Sequence, residues 1–479
     1  MADLSVNFCG IKSPNPFWLA SAPPTNTGGQ IMRAFDAGWG GAVWKTLGNP
    51  IVNVSSRFGG IDYGNTRLVG LNNIELITDR PLEVNLREIR EVKRRYPRHT
   101  VIASLMVETK EEWREIIMKA EDAGADGLEL NFGCPHGMCE RGMGSAVGNE
   151  PKVLEEIARW AVSFAKTPVI IKLTPNIGDI TEPGEAVFRS GAPALSLINT
   201  IKSIIGVDLD TLVPIPQVGN ASTNGGYCGP AVKPIALHLL SQLSRHPQIG
   251  KLAISGIGGI SNWRDAAEFI ALGSTSVQVC TAVMHYGYRI VDDMIEGLSD
   301  YLDSRGMKSV NELRGLAVPQ YKEWGELDLS YKVVADISTD KCIGCQLCYV
   351  ACMDGAHQCI HLPGRSEAEA RKAGHTHIPS LVPDRAVTAK AGTPSTMGAT
   401  PGKPGSAPIP PFARVPFVDE DECIGCNLCA LVCPVAGCIT MVQRDSGKPP
   451  ETWEDRVQKG TDFVPGGLDA TLAARAKRV

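Results

Sequence analysis

Eight short apolar runs punctuate residues 1–310, and the stretches between them carry apolar residues at three- and four-residue spacing. The runs are FWLASAP (17–23), GAVWKT (41–46), VIASLMV (101–107), GLELNFG (127–133), VIIKLTP (169–175), ALSLINT (194–200), KLAISGIGG (251–259) and SVQVCTA (276–282). Runs of this length read as buried strands. The intervening KEEWREIIMKAEDAGA and EPKVLEEIARWAVSFAK read as amphipathic helices. Eight alternating strand and helix units predict an α/β fold of the TIM (β/α)8 barrel type. A doubly wound sheet is the alternative, but it usually carries a glycine fingerprint after its first strand, and none follows FWLASAP.

Several of these strands are apolar until their C-terminal ends and then stop on reactive side chains. Lys45 and Thr46 end the second, Asn131 and Cys134 the fourth, Lys172 the fifth, and Asn199 and Thr200 the sixth. That end of a barrel is where catalytic groups gather.

Beyond the barrel the pattern changes. Residues 311–335 read as a connector, 336–362 and 416–445 as two halves of one small domain, 363–415 as a Pro/Gly-rich insertion, and 446–479 as a C-terminal tail. The small domain carries its own chemistry. Cys342, Cys345, Cys348 and Cys352 follow C-x2-C-x2-C-x3-C spacing, and Cys423, Cys426, Cys429 and Cys433 repeat it. This is the ferredoxin run for two [4Fe–4S] clusters, in which the fourth cysteine of each motif ligates the other cluster. The expected sets are Cys342, Cys345, Cys348 with Cys433, and Cys423, Cys426, Cys429 with Cys352. Structural zinc is the alternative, but its sites usually pair two C-x2-C knuckles. Pro434 follows Cys433 as the motif expects, whereas Met353 follows Cys352. Cys359 and Cys438, each before an isoleucine, read as small core residues.

Composition narrows the setting. A net charge of -5 over 479 residues suggests neither nucleic acid nor an anionic membrane as partner. No run reaches the length of a membrane span, and MADLSVNFCGIKSPNPF has no secretory pattern. Eight of the 15 cysteines are claimed by clusters, so a reducing cytoplasm fits best.

Clusters that move single electrons call for a partner cofactor in the barrel, and a flavin links one- and two-electron chemistry. SGIGGI (255–260) and CTA (280–282) end the seventh and eighth strands, where barrels commonly bind a phosphate. Gly258 and Gly259 permit close approach, and GGYCGPAVKP (225–234) is a second glycine patch that opens a helix. Lys172, inside an apolar strand, needs a partner: either a core carboxylate or an anionic reduced flavin. LELNFGCPHGMCERGMGSAVG (128–148) reads as a strand followed by a lid loop. Its Cys134 is a candidate proton donor, since a thiol near pKa 8.5 is mostly protonated at neutral pH. Cys139 is the rival, and His136, Glu140 and Arg141 are candidates to shape the lid. Asn73, Glu75, Asn131, Asn199 and Thr200 offer amides, a hydroxyl and a carboxylate to a ring of alternating N–H and C=O, such as a pyrimidine.

NFGCPHGMCERGMG, LNNIELI, IKLTPN, SLINT, GGYCGPAVKPIAL and SVQVCTAV resemble motifs of the dihydropyrimidine dehydrogenase family, in particular its bacterial NAD-dependent branch with barrel and ferredoxin in one subunit. The likeness covers residues 3–362 and 416–441. It implies reduction of uracil and thymine to 5,6-dihydro forms, with FMN in the barrel. It also implies a partner subunit that holds FAD and takes electrons from NAD(P)H, hence a hetero-oligomer. By this resemblance Cys134 is the acid, and Asn73, Glu75, Asn131, Asn199 and Thr200 contact the pyrimidine. FMN is held by Ala22, Lys45, Thr46, Asn131, Lys172, Gly229, Gly258, Gly259, Cys280 and Thr281. Three features depart from the family: Gly133 in place of a serine, Cys139 in place of a small residue, and the long insertion. The competing readings are dihydroorotate oxidation on the same barrel, and an electron-transfer subunit whose barrel is only a docking scaffold.

Overall fold

The computed structural model describes residues 2–49, 57–63, 66–135, 142–328, 330–362 and 415–445, with 451, 452, 455 and 459. The insertion, the lid residues His136, Cys139, Glu140 and Arg141, and most of the tail lie outside the described residues.

The eight apolar runs are the eight strands of a closed parallel barrel. They are β1 (Phe17–Leu19), β2 (Gly41–Gly48), β3 (Thr100–Met106), β4 (Gly127–Asn131), β5 (Val169–Lys172), β6 (Ala194–Leu197), β7 (Ala253–Ile257) and β8 (Ser276–Val279). They are joined in chain order, β8 closing onto β1. Each strand is followed by a helix: α1 (Gly28–Ala37), α2 (Leu82–Arg95), α3 (Lys110–Asp122), α4 (Pro151–Phe164), α5 (Thr181–Ser190), α6 (Lys233–Arg245), α7 (Trp263–Ala271) and α8 (Ile290–Ser304).

Local chemistry sets the helix ends. Thr109 and Glu112 form a reciprocal capping box at the start of α3. The Asn262 side chain accepts from the Arg264 and Asp265 N–H groups to start α7. Gly38, at φ 111°, stops α1 in the left-handed conformation that a side chain resists.

Two features escaped the apolar pattern. A hairpin of Val6–Phe8 with Ile11–Ser13 precedes the barrel, and its Phe8 and Ile11 pack with Trp18, Val43, Ile102, Ile170 and Ala194 as a separate apolar layer. An antiparallel sheet, in the order Ile201–Ser203, Gly225–Cys228, Thr66–Ile74, Arg57–Tyr63, is built from insertions after β2 and β6. Ile201–Ser203 and Gly225–Cys228 have only three and four residues, and glycine and polar residues interrupt the longer RFGGIDY and TRLVGLNNI, so none carries an alternation strong enough to read.

The chain divides into two compact units, 1–322 and 323–479, and the boundary between them falls within the expected connector at 311–335. Val310 and Leu313 are buried in the barrel core, and the Gly315 and Ala317 N–H groups donate to the Ile270 and Ala271 carbonyls of α7. At the other end, β9 (Tyr331–Ile337) pairs antiparallel with Ile439–Asp445 throughout. A segment of one or two turns is too short to show a period.

The second unit repeats itself. Its elements are β9, α9 (Leu347–Gly355), β10 (Ile360–His361), β11 (Phe417–Val418), α10 (Leu428–Val432) and β12 (Ile439–Asp445). Gly344 and Gln346 before α9 have φ of 70° and 64°, and Gly425 and Asn427 before α10 have 67° and 66°. The two Cys-rich loops therefore share one backbone path as well as one spacing.

Candidate active site and cluster sites

All fifteen barrel residues singled out for catalysis, substrate or cofactor line one cavity of about 1120 Å³, open on one side. They come from the ends of β1, β2, β4, β5, β6, β7 and β8 and from the inserted sheet. Pairing of β2 with β3 slips between Trp44 and Leu47. This bulge lets Lys45 and Thr46 both line the cavity, where a regular strand would turn one away.

The polar side chains are ordered by one another. Lys45 Nζ donates to Glu75 Oε1 at 2.7 Å, which ties a proposed cofactor contact to a proposed substrate contact. Thr46 Oγ1 lies 2.9 Å from Ser104 Oγ and accepts from Asn131 Nδ2 at 3.1 Å. Asn131 Oδ1 in turn accepts from Asn199 Nδ2 at 2.9 Å. Asn199 Oδ1 then accepts from the Thr200 N–H at 2.8 Å. Asn73 Nδ2 is held by the Gly226 carbonyl at 3.0 Å.

Lys172 meets the first of its two readings, a core carboxylate. It lines the cavity, and its Nζ stands 3.4 Å from Oε1 of Glu129, with both side chains buried. Glu129 Oε2 accepts from Ser196 Oγ at 2.8 Å and Gln278 Nε2 at 2.9 Å. Sequence reasoning passed over Glu129 and Gln278. The signal was present: a carboxylate inside GLELN needs a buried cation as much as the lysine inside VIIKL needs an anion. Asn72 was also missed; it is fully buried and donates to Ser203 Oγ at 2.7 Å, pinning the inserted sheet.

The residues present suit a flavin. Gln278 Oε1 is buried, lines the cavity, and lacks a hydrogen-bond donor, so a ring N–H would satisfy an acceptor that otherwise costs free energy. Gly229, Gly258 and Gly259 have φ of 96°, 128° and 76°. A Cβ at Gly259 would stand 2.8 Å from the Lys233 nitrogen and 3.0 Å from the Gly229 carbonyl oxygen. The two glycine patches thus converge at the start of α6, with backbone near enough for a phosphate. Gly225 and Gly226 serve differently from the rest of their patch. Gly225 pairs with Ser203 and Gly226 with Asn73, and a Cβ at Gly226 would meet Thr200 Oγ1 at 2.2 Å. Burial pushes the thiols of Cys228 and Cys280 up from their ordinary range, which leaves both poor nucleophiles.

Cys134 lies at the cavity, buried in a small apolar cluster with Ile77, Met106 and Met143. Its carbonyl accepts from the Ser145 N–H at 2.9 Å, so the lid loop is anchored at both its near and far ends. A Cβ at Gly133 would come within 2.4 Å of Asn199 Cβ. The glycine there is the counterpart of the Asn199 position, and a serine would require Asn199 to move.

In the second unit each expected cysteine set surrounds its own cavity. Cys342, Cys345, Cys348 and Cys433 line one of about 310 Å³. Cys423, Cys426, Cys429 and Cys352 line another of about 330 Å³. No three His, Cys, Asp or Glu side chains among the described residues are grouped to hold a single metal ion. Four thiols lining each of two separate cavities suit a cube of iron and sulfide rather than zinc.

The fold and its polar strand ends define a flavin-type barrel, and the dihydroorotate dehydrogenase family model matches residues 3–302. A 4Fe-4S binding domain model matches 416–436. The chain is 45% identical over 359 residues, 75% of its own length, to the NAD-dependent dihydropyrimidine dehydrogenase subunit PreA of Escherichia coli, covering 87% of that protein. It is 43% identical over 325 residues to the chloroplastic dihydropyrimidine dehydrogenase (NADP(+)) of Arabidopsis thaliana, covering 65% of this chain and 76% of that one. It is 37% identical over 319 residues to the catalytic subunit of dihydroorotate dehydrogenase B (NAD(+)) of Pyrococcus abyssi, covering 66% and 99%. The crystal structure of DHODH from Eimeria tenella, solved with ferulenol, shares the fold with a TM-score of 0.54 at 18% identity, covering 66% of this chain and 88% of that one. The chain belongs to the dihydropyrimidine dehydrogenase family of oxidoreductases, whose barrel carries a flavin and whose C-terminal unit binds [4Fe–4S]. No helix among the described residues is long and apolar enough to cross a membrane.

Proposed function

We propose that this chain reduces the 5,6 double bond of uracil or thymine, with electrons from NAD(P)H relayed by an FAD-containing partner subunit through two [4Fe–4S] clusters to FMN. The observation that carries the reading is the state of the cavity's cations. Among the described lining residues the lysines are Lys45 and Lys172, paired with Glu75 and Glu129. The lining therefore favours a neutral ring with amide edges over an orotate carboxylate, which would need a cation of its own.

Asn73, Glu75, Asn131, Asn199 and Thr200 bind the ring edges, and their mutual hydrogen bonds hold them in place before substrate arrives. FMN, held by Ala22, Lys45, Thr46, Asn131, Lys172, Gly229, Gly258, Gly259, Cys280 and Thr281, supplies hydride to C6 of the pyrimidine when bound. Cys134 gives its thiol proton to C5, and its buried place among Ile77, Met106 and Met143 keeps competing water from that proton. The asparagine amides stabilise charge that develops on the ring carbonyl. The eight ligand cysteines and the relative's name as a subunit support a hetero-oligomer, and free thiols in this number support a cytoplasmic setting.

Cofactor extraction with iron and sulfide analysis tests this directly. The expected result is one FMN, no FAD, and about eight iron and eight acid-labile sulfide per chain. Stoichiometric zinc without sulfide would defeat the cluster assignment, and absence of flavin in cluster-intact protein would restore the docking-scaffold alternative. The chain alone should fail to oxidise NADH while a reduced artificial donor drives uracil reduction. Rapid NADH oxidation by the single chain would place the nicotinamide site here instead.

A further inference from the structure

Each cluster cavity contains a fifth cysteine that the ligand spacing leaves unused: Cys438 beside the set with Cys433, and Cys359 beside the set with Cys352. Both are buried, and each directly precedes the isoleucine that opens a strand, β12 or β10. Small core residue was the expectation for both, and burial alone would suit it. Their contacts differ, however. Cys359 Sγ lies 3.5 Å from Cys352 Sγ, and the Cys359 N–H donates to the same sulfur at 3.3 Å. The Cys438 thiol faces the Ser338 carbonyl at 3.9 Å and also stands against Cys433 and Cys342.

Cys352 is the ligand that crosses from the first motif to the second cavity. A thiolate bound to iron carries no proton, so the Cys352–Cys359 pair then has one possible donor, the Cys359 S–H. We propose that Cys359 is a hydrogen-bond donor to the iron-bound sulfur of Cys352, and that it raises the reduction potential of the cluster held by Cys423, Cys426, Cys429 and Cys352. This rests on the two-cubane reading above. Hydrogen bonds to cluster sulfurs draw electron density from the thiolate and favour the more negative, reduced cluster. This cavity gains a further donor, the Ala335 N–H to Cys423 Sγ at 3.4 Å. In the other cavity the Gly344 N–H reaches Cys342 Sγ at 3.4 Å, and Cys438 stands against Cys433 and Cys342 while its thiol also faces the Ser338 carbonyl. What sets the Cys359 side apart is the backbone N–H of the same residue, which reaches the Cys352 sulfur as well. Cys359 is a positioning residue, not a ligand.

Redox titration of the full chain, followed by electron paramagnetic resonance, tests the proposal in Cys359→Ala, Cys359→Ser and Cys438→Ala. Iron and sulfide analysis comes first: content short of eight and eight in the unmodified chain would fail the cluster reading, not this one. With content intact, Cys359→Ala should lower one midpoint so that the reduced-to-oxidised ratio at fixed potential falls about tenfold, about 59 mV for one electron. The other cluster should not move. Cys359→Ser, which keeps a donor, should recover most of the shift, and Cys438→Ala should change the first cluster by less. If Cys359→Ala loses its cluster, the infrared S–H band of the unmodified chain decides. A band that shifts on cluster reduction and survives in Cys438→Ala supports the donor. Unchanged midpoints in an intact Cys359→Ala, or an S–H band indifferent to cluster reduction, would overturn it.

Discussion

The barrel and the cluster unit solve the same problem, holding a redox group in a dry place, by opposite means. The barrel cavity is made of side chains brought from strands far apart in sequence, over a large aliphatic and aromatic core that includes Trp39, Trp44 and Trp113. Among the described residues the cluster unit has a core of ten buried residues, and six of them are cysteines: Cys348, Cys352, Cys359, Cys423, Cys429 and Cys438. The barrel is built first and binds second. Among the described residues the smaller unit's apolar core is slight, so a bound cluster would be part of that core.

That contrast predicts its largest consequence on removal of iron. Anaerobic chelation should unfold residues 331–362 and 415–445, because metal binding in so small a core is folding free energy. Hydrogen exchange should show protection lost in β9 and β12 while β2 and β3 keep theirs. Equal protection in both units after chelation would mean the small core stands alone.

Next in size is the chemistry. Cys134→Ala should retain flavin, clusters and uracil binding but lose roughly 10²–10⁴-fold in turnover, the usual loss of a general acid. Cys134→Ser should retain slightly more, and Cys139→Ala should stay within a few-fold. The reverse pattern in single-turnover assays would assign the proton to Cys139.

A smaller effect belongs to the buried pair under the cavity. Glu129→Gln removes the carboxylate charge 3.4 Å from Lys172, and stranding a buried cation costs about 3 kcal/mol. Thermal unfolding should show that loss in the barrel transition, with the cluster unit unmoved. A barrel transition unchanged by Glu129→Gln would show that Lys172 is solvated in spite of its burial.

The smallest expected effect is electrostatic. The Arg80 guanidinium, in a bidentate pair with Glu88, holds that carboxyl below its usual range, helped by the Gly28 N–H at 2.7 Å. A depressed carboxylate contributes stability above its unfolded value that is lost as pH falls through its folded value. For a partly exposed pair this is under about 1 kcal/mol. Arg80→Ala should flatten that acid limb of barrel stability, and an unaltered limb would assign it to other carboxylates.

How much of this was legible in sequence depended on how local the signal was. The eight runs were strands because a parallel barrel strand is buried on both faces and must be apolar throughout. The cluster sets were legible because C-x2-C-x2-C-x3-C is a constraint within one loop, repeated with the same glycine and αL position before α9 and α10. Strand-end residues from Lys45 to Thr281 were legible as candidates because polar groups at those ends break the apolar pattern, and the family resemblance sorted them into roles. The inserted sheet was not, since glycine and polar residues interrupt its strands, and Asn72 and Asn73 look like turn residues until Tyr227 and Gly226 pair with them.

Sequence alone determined what repeats and what is locally spaced: the barrel's period, the two cysteine motifs, the interruption at 363–415. Only the tertiary structure decided which groups face each other across long separations. Lys172 met Glu129, Lys45 met Glu75, Gly259 met Gly229, and Cys359 came to lie against Cys352 rather than in an ordinary core. Periodicity and spacing are properties of neighbouring residues and survive in a string of letters. Partnership between buried charges and thiols is a property of distance, and it exists only once the chain has closed.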